Sequence, residues 1–300
     1  MHADNATTTP APVDAEEFER LLATLRQKLH RYCARMVGSV IEAEDVVQET
    51  LMKAVEAFPR ATAIGNAEAW LYRIAHNASL DVLRQRTRQR MLASDEDMAM
   101  IADPVDDVHQ RQAAAAGLRT FMRLSVAERS SVILMDVLGY SLEEIGGVTG
   151  STTPAVKAAL HRGRARLRAA ARDPDERPLP VLSKDERARL SAYVDRFNAR
   201  DFDAVRDMLA DEVRLELVAR TRMNGRREVA RYFHNYSGEN DWHVRAGFVD
   251  DSPALLVDDV NRPTEAPAYF IVLGWAGGKV VTIRDFRHAP YAIEGARLVE

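Results

Sequence analysis

Apolar residues recur at helical spacing along the first third of the chain. Between residues 15 and 90 they return every three or four positions, which is the period of an amphipathic helix. Breaks in this pattern separate three helices, of which the second runs from near Ile41 to just before Pro59 and the third from about Ala67 to Arg90. The Pro, Gly and Asn residues between the second and third helices predict a loop.

A second group of helical patterns follows an acidic stretch. One helix is expected from Val108 to Arg123, and another from Ser125 through Leu138, where Gly139 ends it. Together with the segment that follows, these patterns predict a second all-helical domain, joined to the first by a linker.

Residues 140–172 have the pattern of a helix–turn–helix. Ser141 and Glu144 have the spacing of a capping box, in which the hydroxyl and the carboxylate each bond a free backbone amide at a helix start. Thr149-Gly150-Ser151 supplies the turn. Thr153-Pro154 is expected to provide the N-cap and the first residue of the second helix.

From residue 183 the pattern changes to helices followed by strands. Helices are expected over residues 183–200, over 202–210 and from Gly225 through Tyr236, and strands over 212–219, 242–249, 266–275 and 279–287. The last two strands flank Ala276-Gly277-Gly278, which is a strong hairpin turn. This mixture predicts an α+β domain with a curved antiparallel sheet.

Composition narrows the class of protein. The 300 residues are 46% hydrophobic, enough for two or three domains with their own cores. No apolar run reaches the roughly 18 residues that span a bilayer, and Met1–Asp14 lacks the pattern of a signal peptide. The single cysteine, Cys33, allows no intrachain disulfide and no cysteine-cluster metal site. We therefore expect a cytoplasmic protein without metal or cofactor.

Charge is segregated along the chain although the net charge is only −4. Residues 94–107 include six acids and no base, whereas residues 153–172 include six Lys and Arg and no acid. A helix whose charged side chains are all basic, following a capped turn, favours DNA binding. Its first turns would lie at base edges and its later arginines at phosphates. The alternative is a solvated charged helix in an ordinary bundle.

Several motifs in order carry a more specific signal. They are Glu44–Thr50, Trp70–Asn77 with Asp81 and Arg84, Tyr140–Ile145, and Val156–Arg164. Over about residues 15–172 the chain resembles bacterial RNA polymerase sigma factors of the extracytoplasmic-function (ECF) group, which keep only two of the larger family's conserved domains.

The resemblance implies partners and contact residues. The second helix would dock on the β′ coiled coil of core RNA polymerase, and its docking residues would be Asp45, Gln48 and Glu49. The β flap of the polymerase would be a further contact of the protein. The loop and third helix resemble the part that opens and reads the −10 promoter element, for which the matching residues are Arg73, His76, Asn77 and Arg84.

The helix from Thr153 would read the −35 promoter element by the same resemblance. The residues placed nearest the DNA are Thr152, Thr153, Ala155, Lys157, Ala158, His161, Arg162 and Arg164. The acidic linker would thread the polymerase cleft, where its charge could imitate nucleic acid.

The third block has a second resemblance. Gly225–Phe233 and Ile283–Phe286 are similar to SnoaL-like domains, which share the cone-shaped α+β fold of ketosteroid isomerase. Some ECF sigma factors carry such a domain as a built-in regulator. One branch has an Asn-Pro-Asp-Lys-Leu type motif after the final strand, where this chain has Arg287–Tyr291 instead.

Catalysis or ligand sensing in this block remains an alternative. Relatives of the fold use carboxylates and histidines that line the pocket, and the available residues are Tyr232, His234, His243, Asp285 and His288. Strand alternation would place Asp285 and Arg287 on one face, and Arg284, Phe286 and His288 on the other.

The whole sequence predicts a multidomain protein. The expected segments are a disordered tail at 1–14, a sigma region 2 domain at 15–90, an acidic linker at 91–112, a sigma region 4 domain at 113–172, a linker at 173–182 and a SnoaL-like domain at 183–300. We expect a non-enzymatic sigma factor that binds polymerase and promoter DNA under control of its C-terminal domain. The alternatives are an ordinary helix–turn–helix regulator with a ligand-sensing or enzymatic C-terminal domain, and an enzyme in the third block that the helices target.

Overall fold

The computed structural model describes residues 15–60, 66–91, 117–172, 181–238, 241–262, 264 and 266–299. Its contacts form two compact units. One comprises residues 1–38 and 42–174 and is called the helical unit, and the other comprises residues 39–41 and 175–300 and is called the C-terminal unit.

The helical unit contains seven α-helices among its described residues. They are α1 (Ala15–Val37), α2 (Val40–Ala57), α3 (Ala67–Met91), α4 (Leu118–Met122), α5 (Val126–Val132), α6 (Leu142–Thr149) and α7 (Thr153–Arg172). A 3₁₀ turn, Phe58–Arg60, follows α2, and a π-helix, Ile133–Val137, follows α5. The three helices predicted for the first third are thus confirmed.

Two other helix predictions have a different outcome. The helix expected over residues 125–138 is α-helical only through Val132 and continues as the π-helix. Of the helix expected over residues 108–123, only α4 is described. Most of the predicted acidic linker, the tail, the centre of the loop after Pro59 and residues 173–180 lie outside the described residues.

The helices of this unit share one core. Tyr72 of α3 makes edge contacts with Tyr32 of α1 and with Tyr140, which precedes α6, at ring-centroid distances of 5.5 and 5.2 Å. Arg129 of α5 is buried and donates to the carbonyl of Met36 at 2.5 Å. Because the last carbonyls of a helix have no partner within it, this arginine satisfies a buried polar group at the end of α1.

The C-terminal unit is an α+β domain, as predicted. It consists of α8 (Lys184–Asn198), α9 (Phe202–Asp207), β1 (Leu209–Leu217), β2 (Thr221–Asn224), α10 (Arg226–Ser237), β3 (Trp242–Val249), β4 (Ser252–Asp259), β5 (Tyr269–Ala276), β6 (Lys279–Asp285), a 3₁₀ turn (Pro290–Ile293) and β7 (Leu298–Val299). The strand order is β2-β1-β6-β5-β4-β3-β7. All pairs are antiparallel except β1 with β6.

Strand β1 begins earlier than the pattern suggested. Leu209 and Ala210 were expected in a helix, but they form the start of the strand, and α9 ends at Asp207. The capped helices follow their sequence signals more closely, since Ser183 accepts from the amide of Glu186 at 3.2 Å and starts α8. Local capping chemistry therefore defines helix starts here better than periodicity defines helix ends.

Helices α8 and α10 pack on the sheet and enclose its core. On the sheet, Asp285 at the end of β6 is in register with Leu217 of β1 and Ile271 of β5. Helix α10 packs against β1 and brings Tyr232 and Tyr236 to this end of β6. A fully buried acid therefore lies inside the domain beside two tyrosines.

The described part of the chain lacks two kinds of feature. None of its helices has the length and apolar content needed to cross a membrane. Nor do its residues include a group of three or more His, Cys, Asp or Glu side chains placed to hold a metal ion.

Candidate nucleic-acid interface

The helix–turn–helix begins with the predicted capping box. The amide of Glu144 donates to Ser141 Oγ at 3.3 Å, and the amide of Ser141 donates to the Glu144 carboxylate at 2.9 Å. The Ser141 hydroxyl also donates to this carboxylate, at 2.7 Å, and the two hydrogen bonds to the carboxylate lower the pKa of Glu144. Gly150 closes α6 with φ of +69°, a left-handed conformation that glycine adopts without steric cost.

The cap of α7 lies one residue earlier than predicted. The helix begins at Thr153, and the hydroxyl of Thr152 accepts from the amide of Ala155 at 3.4 Å. Thr152 is therefore the N-cap, and Pro154 occupies the second helical position, where its missing N–H also costs nothing. The Thr-Thr pair offers two equivalent capping residues, so the sequence alone could not decide between them.

The first turns of α7 are open to solvent. Five of the residues predicted at the −35 element are exposed, namely Thr152, Thr153, Ala155, Lys157 and Ala158. Their side chains are short except for one lysine, so a nucleic-acid groove could approach the helix backbone closely. This surface has the form that major-groove readers use.

The later turns of α7 are anchored within the helical unit. Arg164 forms two hydrogen bonds with the Asp136 carboxylate, at 2.9 and 2.5 Å. Arg162 and Arg166 bind the two oxygens of Glu128 at 3.2 and 2.5 Å. The side chains of both acids are 1% exposed.

This pairing separates the predicted −35 residues into two sets. His161, Arg162 and Arg164 are half-buried, and the two arginines neutralise buried acids. The basic run of α7 therefore has a structural function as well as a charge. The sequence of α7 contains no signal for it, because the acidic partners lie 28 to 38 residues earlier in the chain.

Helix α3 divides its predicted −10 residues in a similar way. Arg73, Asn77 and Arg84 are exposed, and Arg84 pairs with Asp81 at 3.1 Å. His76 faces the core at 5% exposure, with its Nδ1 2.8 Å from the hydroxyl of Tyr32. Burial lowers the pKa of His76 to about 4, so its ring is neutral at pH 7.

The predicted docking face of α2 contains acidic, polar and apolar groups. Asp45 is exposed, whereas Gln48 and Glu49 are half-buried. Met52 and Val55 continue the same helical stripe, and they are 60% and 55% exposed. Two large apolar side chains are therefore exposed beside acids on this face of α2.

One acid of the α2 motif has an internal position instead. Glu44 is completely buried and forms an ion pair with Arg26 of α1. A motif residue next to Asp45 is thus part of the packing between the first two helices. Charge alone did not distinguish the two acids, but their helical phase does, since Glu44 falls among the buried apolar positions of α2.

The C-terminal unit brings three of its five candidate catalytic residues together. Tyr232, Asp285 and His288 line one cavity. His243 is exposed on β3, and the side chain of His234 lies outside the described residues. Alternation correctly places Asp285 with Arg287, but it is wrong for His288, which lines the same cavity because β6 ends at Asp285.

Comparison with known families identifies both helical segments. A model of sigma-70 region 2 matches residues 21–89, and a model of sigma-70 region 4 matches residues 118–167. The second segment contains the helix–turn–helix as far as Leu167 and the acids that anchor it.

Solved structures show similarity at low identity. The ECF sigma factor SigJ of Mycobacterium tuberculosis is 19% identical, covers 89% of this chain and 95% of its own, and has a TM-score of 0.34. A putative ketosteroid isomerase from Kribbella flavida is 24% identical, covers 34% of this chain and 77% of its own, and has a TM-score of 0.27.

Curated relatives give the family. The ECF RNA polymerase sigma factor SigG of Mycobacterium tuberculosis is 27% identical over 240 residues, which cover 72% of this chain and 65% of SigG. The chain thus spans about 65% of the length of that relative. The ECF RNA polymerase sigma factor SigW of Bacillus subtilis is 30% identical over 171 residues, which cover 53% of this chain and 91% of SigW. The chain therefore belongs to the extracytoplasmic-function family of RNA polymerase sigma factors.

Proposed function

We propose that this protein binds core RNA polymerase in the cytoplasm, recognises the −10 and −35 promoter elements and promotes transcription initiation. The observation that carries the proposal is the division of α7, whose first turns are exposed while its later arginines hold two buried acids. An anchored helix with an open N-terminal half is suited to the major groove. Family membership supports the polymerase partner.

The exposed residues of α7 are assigned to DNA contact. Lys157 would contact a base edge or a phosphate, and the small side chains of Ala155 and Ala158 would allow close approach. Arg162 and Arg164 would act mainly as positioning residues, because each is paired with a buried carboxylate. His161 is half-buried like these two arginines.

In α3 the exposed residues are assigned to the −10 element. Arg73, Asn77 and Arg84 offer cationic and amide groups to a single strand. His76 would support this surface from below, through its hydrogen bond with Tyr32, without touching DNA.

For polymerase docking, the surface of α2 is assigned to the β′ coiled coil. Asp45, Gln48 and Glu49 would supply charge and hydrogen bonds, and Met52 and Val55 would supply apolar area. Region 4 would contact the β flap. A combination of apolar centre and polar margin agrees with general interface composition.

The C-terminal unit is assigned to regulation, without catalysis of a reaction. Its cavity makes control by a small molecule physically reasonable, since such ligands bind in concave sites. An ordinary helix–turn–helix regulator with a ligand-sensing domain is the second candidate. The exposed Met52 and Val55 favour the sigma factor, because that regulator needs no docking face on α2.

Lys157→Ala tests the DNA contact directly. In holoenzyme assembled on genomic promoter fragments, loss of a base contact should cost about 1–3 kcal/mol at one −35 position. Loss of a phosphate contact should instead weaken binding to all −35 sequence variants equally. It should also reduce the slope of log affinity against log salt concentration by about 0.9. Lys184→Ala removes another exposed lysine, from α8, and serves as the control. Equal affinities of the two variants would contradict the assignment.

A further inference from the structure

The C-terminal unit contains a cavity of about 480 Å³ that the sigma function does not use. Small-molecule sites in proteins typically measure roughly 300–1,000 Å³. The floor is formed by Tyr232, Tyr236 and Asp285, all buried, and the mouth by Arg220, Arg287 and His288. The cavity therefore has a polar inner end and a cationic outer end.

At the floor, a buried carboxylate is held by hydrogen bonds. Asp285 is 0% exposed, and its Oδ2 accepts from the hydroxyls of Tyr232 and Tyr236, each at 2.8 Å. Its Oδ1 accepts from the backbone N–H of Arg287 at 2.8 Å. Burial raises the pKa of Asp285, and the tyrosine hydrogen bonds oppose this. Burial of a carboxylate lowers the stability of a fold relative to an apolar side chain in the same place. Buried acids that line a cavity are therefore typical of binding sites.

The floor offers acceptors to a ligand. A tyrosine has one O–H donor, and both tyrosines place it at Asp285, although the Tyr232 hydroxyl also lies within donating distance of the Tyr236 hydroxyl, at 3.3 Å. The Tyr269 hydroxyl lies 3.1 Å from that of Tyr236, and extends the same network. Lone pairs on the tyrosine and carboxylate oxygens remain, so a group that binds here must bring its own O–H or N–H.

The mouth offers positive charge. Arg220 is exposed and Arg287 half-buried, and Arg220 Nη1 lies 3.3 Å from His288 Nε2. Burial, together with the charge of Arg220, lowers the pKa of His288. The charge at the mouth therefore comes from two guanidinium groups, which favour a carboxylate or similar anion.

Between these ends the wall includes two apolar side chains and Thr221. Leu217 is buried and Met223 half-buried, and both line the cavity with the rings of the two tyrosines. Flat or ring-shaped apolar groups pack well against aromatic rings and a flexible thioether.

We propose that this cavity binds a small amphipathic acid, with its carboxylate at Arg220 and Arg287, a ring-sized apolar body against Leu217 and Met223, and a hydroxyl that donates to the floor. The ligand would be the signal for the regulatory role proposed for the C-terminal unit. Only that consequence rests on the proposed function, because binding itself needs neither polymerase nor DNA.

Calorimetric titration of the full-length protein tests the proposal with three related probes. The probe 6-hydroxy-2-naphthoate has both end groups, 2-naphthoate lacks the hydroxyl and 2-naphthol lacks the carboxylate. Each missing group should weaken binding by about tenfold or more, because loss of a hydrogen bond with a charged partner lowers the affinity by at least about that factor. Absence of binding by all three up to about 1 mM would overturn the proposal.

Variants locate the site. Arg220→Gln should weaken binding of the two probes that carry a carboxylate by about tenfold and leave the affinity for 2-naphthol unchanged. Tyr236→Phe should weaken the two hydroxylated probes and spare 2-naphthoate. Arg222→Gln, an arginine on β2 that pairs with Glu216 and does not line the cavity, should bind all probes as the wild type does.

The pattern of losses decides the outcome. Equal weakening of all three probes by Arg220→Gln, or an equal effect of Arg222→Gln, would exclude the assigned orientation. Because transcription is not measured, a negative titration leaves the sigma assignment intact. A transcriptionally inactive protein that still binds the acid would contradict the proposed function alone.

Discussion

At the scale of single residues, Asp136 is a buried acid that anchors α7 within the helical unit. Its two hydrogen bonds hold Arg164, and its side chain is 1% exposed. Asp136→Ala leaves a partly buried arginine without its acid and should lower the free energy of unfolding by about 2–4 kcal/mol. Urea unfolding of a chain ending at Arg172, followed by the fluorescence of its single tryptophan, Trp70, measures this.

The matched control removes an exposed acid from an ion pair. Asp81 pairs with Arg84 on the surface of α3, at 3.1 Å and 58% exposure. Asp81→Ala should change the free energy of unfolding by less than about 0.5 kcal/mol. If the two substitutions were equally mild, the anchoring of α7 by acids would be wrong.

His76 should make the helical unit sensitive to acid. Its folded pKa is lowered to about 4, below the ordinary 6.5, so the unfolded chain takes up this proton first as the pH falls. Stability is fully present above pH 6.5 and declines towards pH 4, by about 2 kcal/mol between pH 7 and 5. His76→Gln removes this contribution, so its unfolding free energy should fall less over that interval. Parallel pH profiles of the two proteins would show that the ring is not buried.

Some features of single residues could be predicted from the sequence, and others could not be predicted. The capping box of Ser141 and Glu144 was predictable because its partners lie three residues apart. The partner of Arg164 lies 28 residues away, and that of His76 lies 44 away. Only packing brings such residues together, so a local pattern cannot tell a DNA contact from an internal one.

At the scale of elements, substitutions on α2 should distinguish the charged from the apolar contribution to polymerase binding. The double substitution Asp45→Ala/Glu49→Ala should weaken binding to core polymerase by about tenfold at low salt and less at high salt. Met52→Ala/Val55→Ala should weaken it at all salt concentrations, because apolar burial is not screened. Titration of labelled protein with core polymerase measures both.

A control for charge is available on α1. Glu16→Ala/Glu19→Ala removes two exposed acids from the first turns of that helix. It should bind polymerase as the wild type does. A loss as large as that of the α2 pair would indicate a general effect of net charge and would argue against a docking face.

Strands were harder to predict than helices. Periodicity identified α1, α2 and α3 because each presents one apolar face over four turns or more. Strand β4 was missed because Ala254, Leu255, Leu256 and Val257 are all buried, which removes the alternation that marks a half-exposed strand. The short strands β2 and β7 carry too few residues for any period to be visible.

At the scale of the whole molecule, the two compact units have different parts of the proposed function. The helical unit contains both segments that match sigma-70 models, and the C-terminal unit contains the cavity. The order of these parts was predicted from motifs and composition, and a pocket was expected from the resemblance to SnoaL-like domains, but its lining was predicted only in part, because it comes from three separate stretches of chain. The boundaries proposed for the individual domains remain predictions.

Transcription in vitro with purified core polymerase tests the central claim most directly. Full-length protein and a chain ending at Arg172 would be compared on genomic promoter fragments, with core polymerase alone as the reference. We predict specific initiation that requires both core polymerase and the added chain, and a difference between the two chains would give the sign of C-terminal control. If neither chain binds core polymerase or directs initiation while both still bind DNA, the protein is an ordinary helix–turn–helix regulator and the sigma function is contradicted.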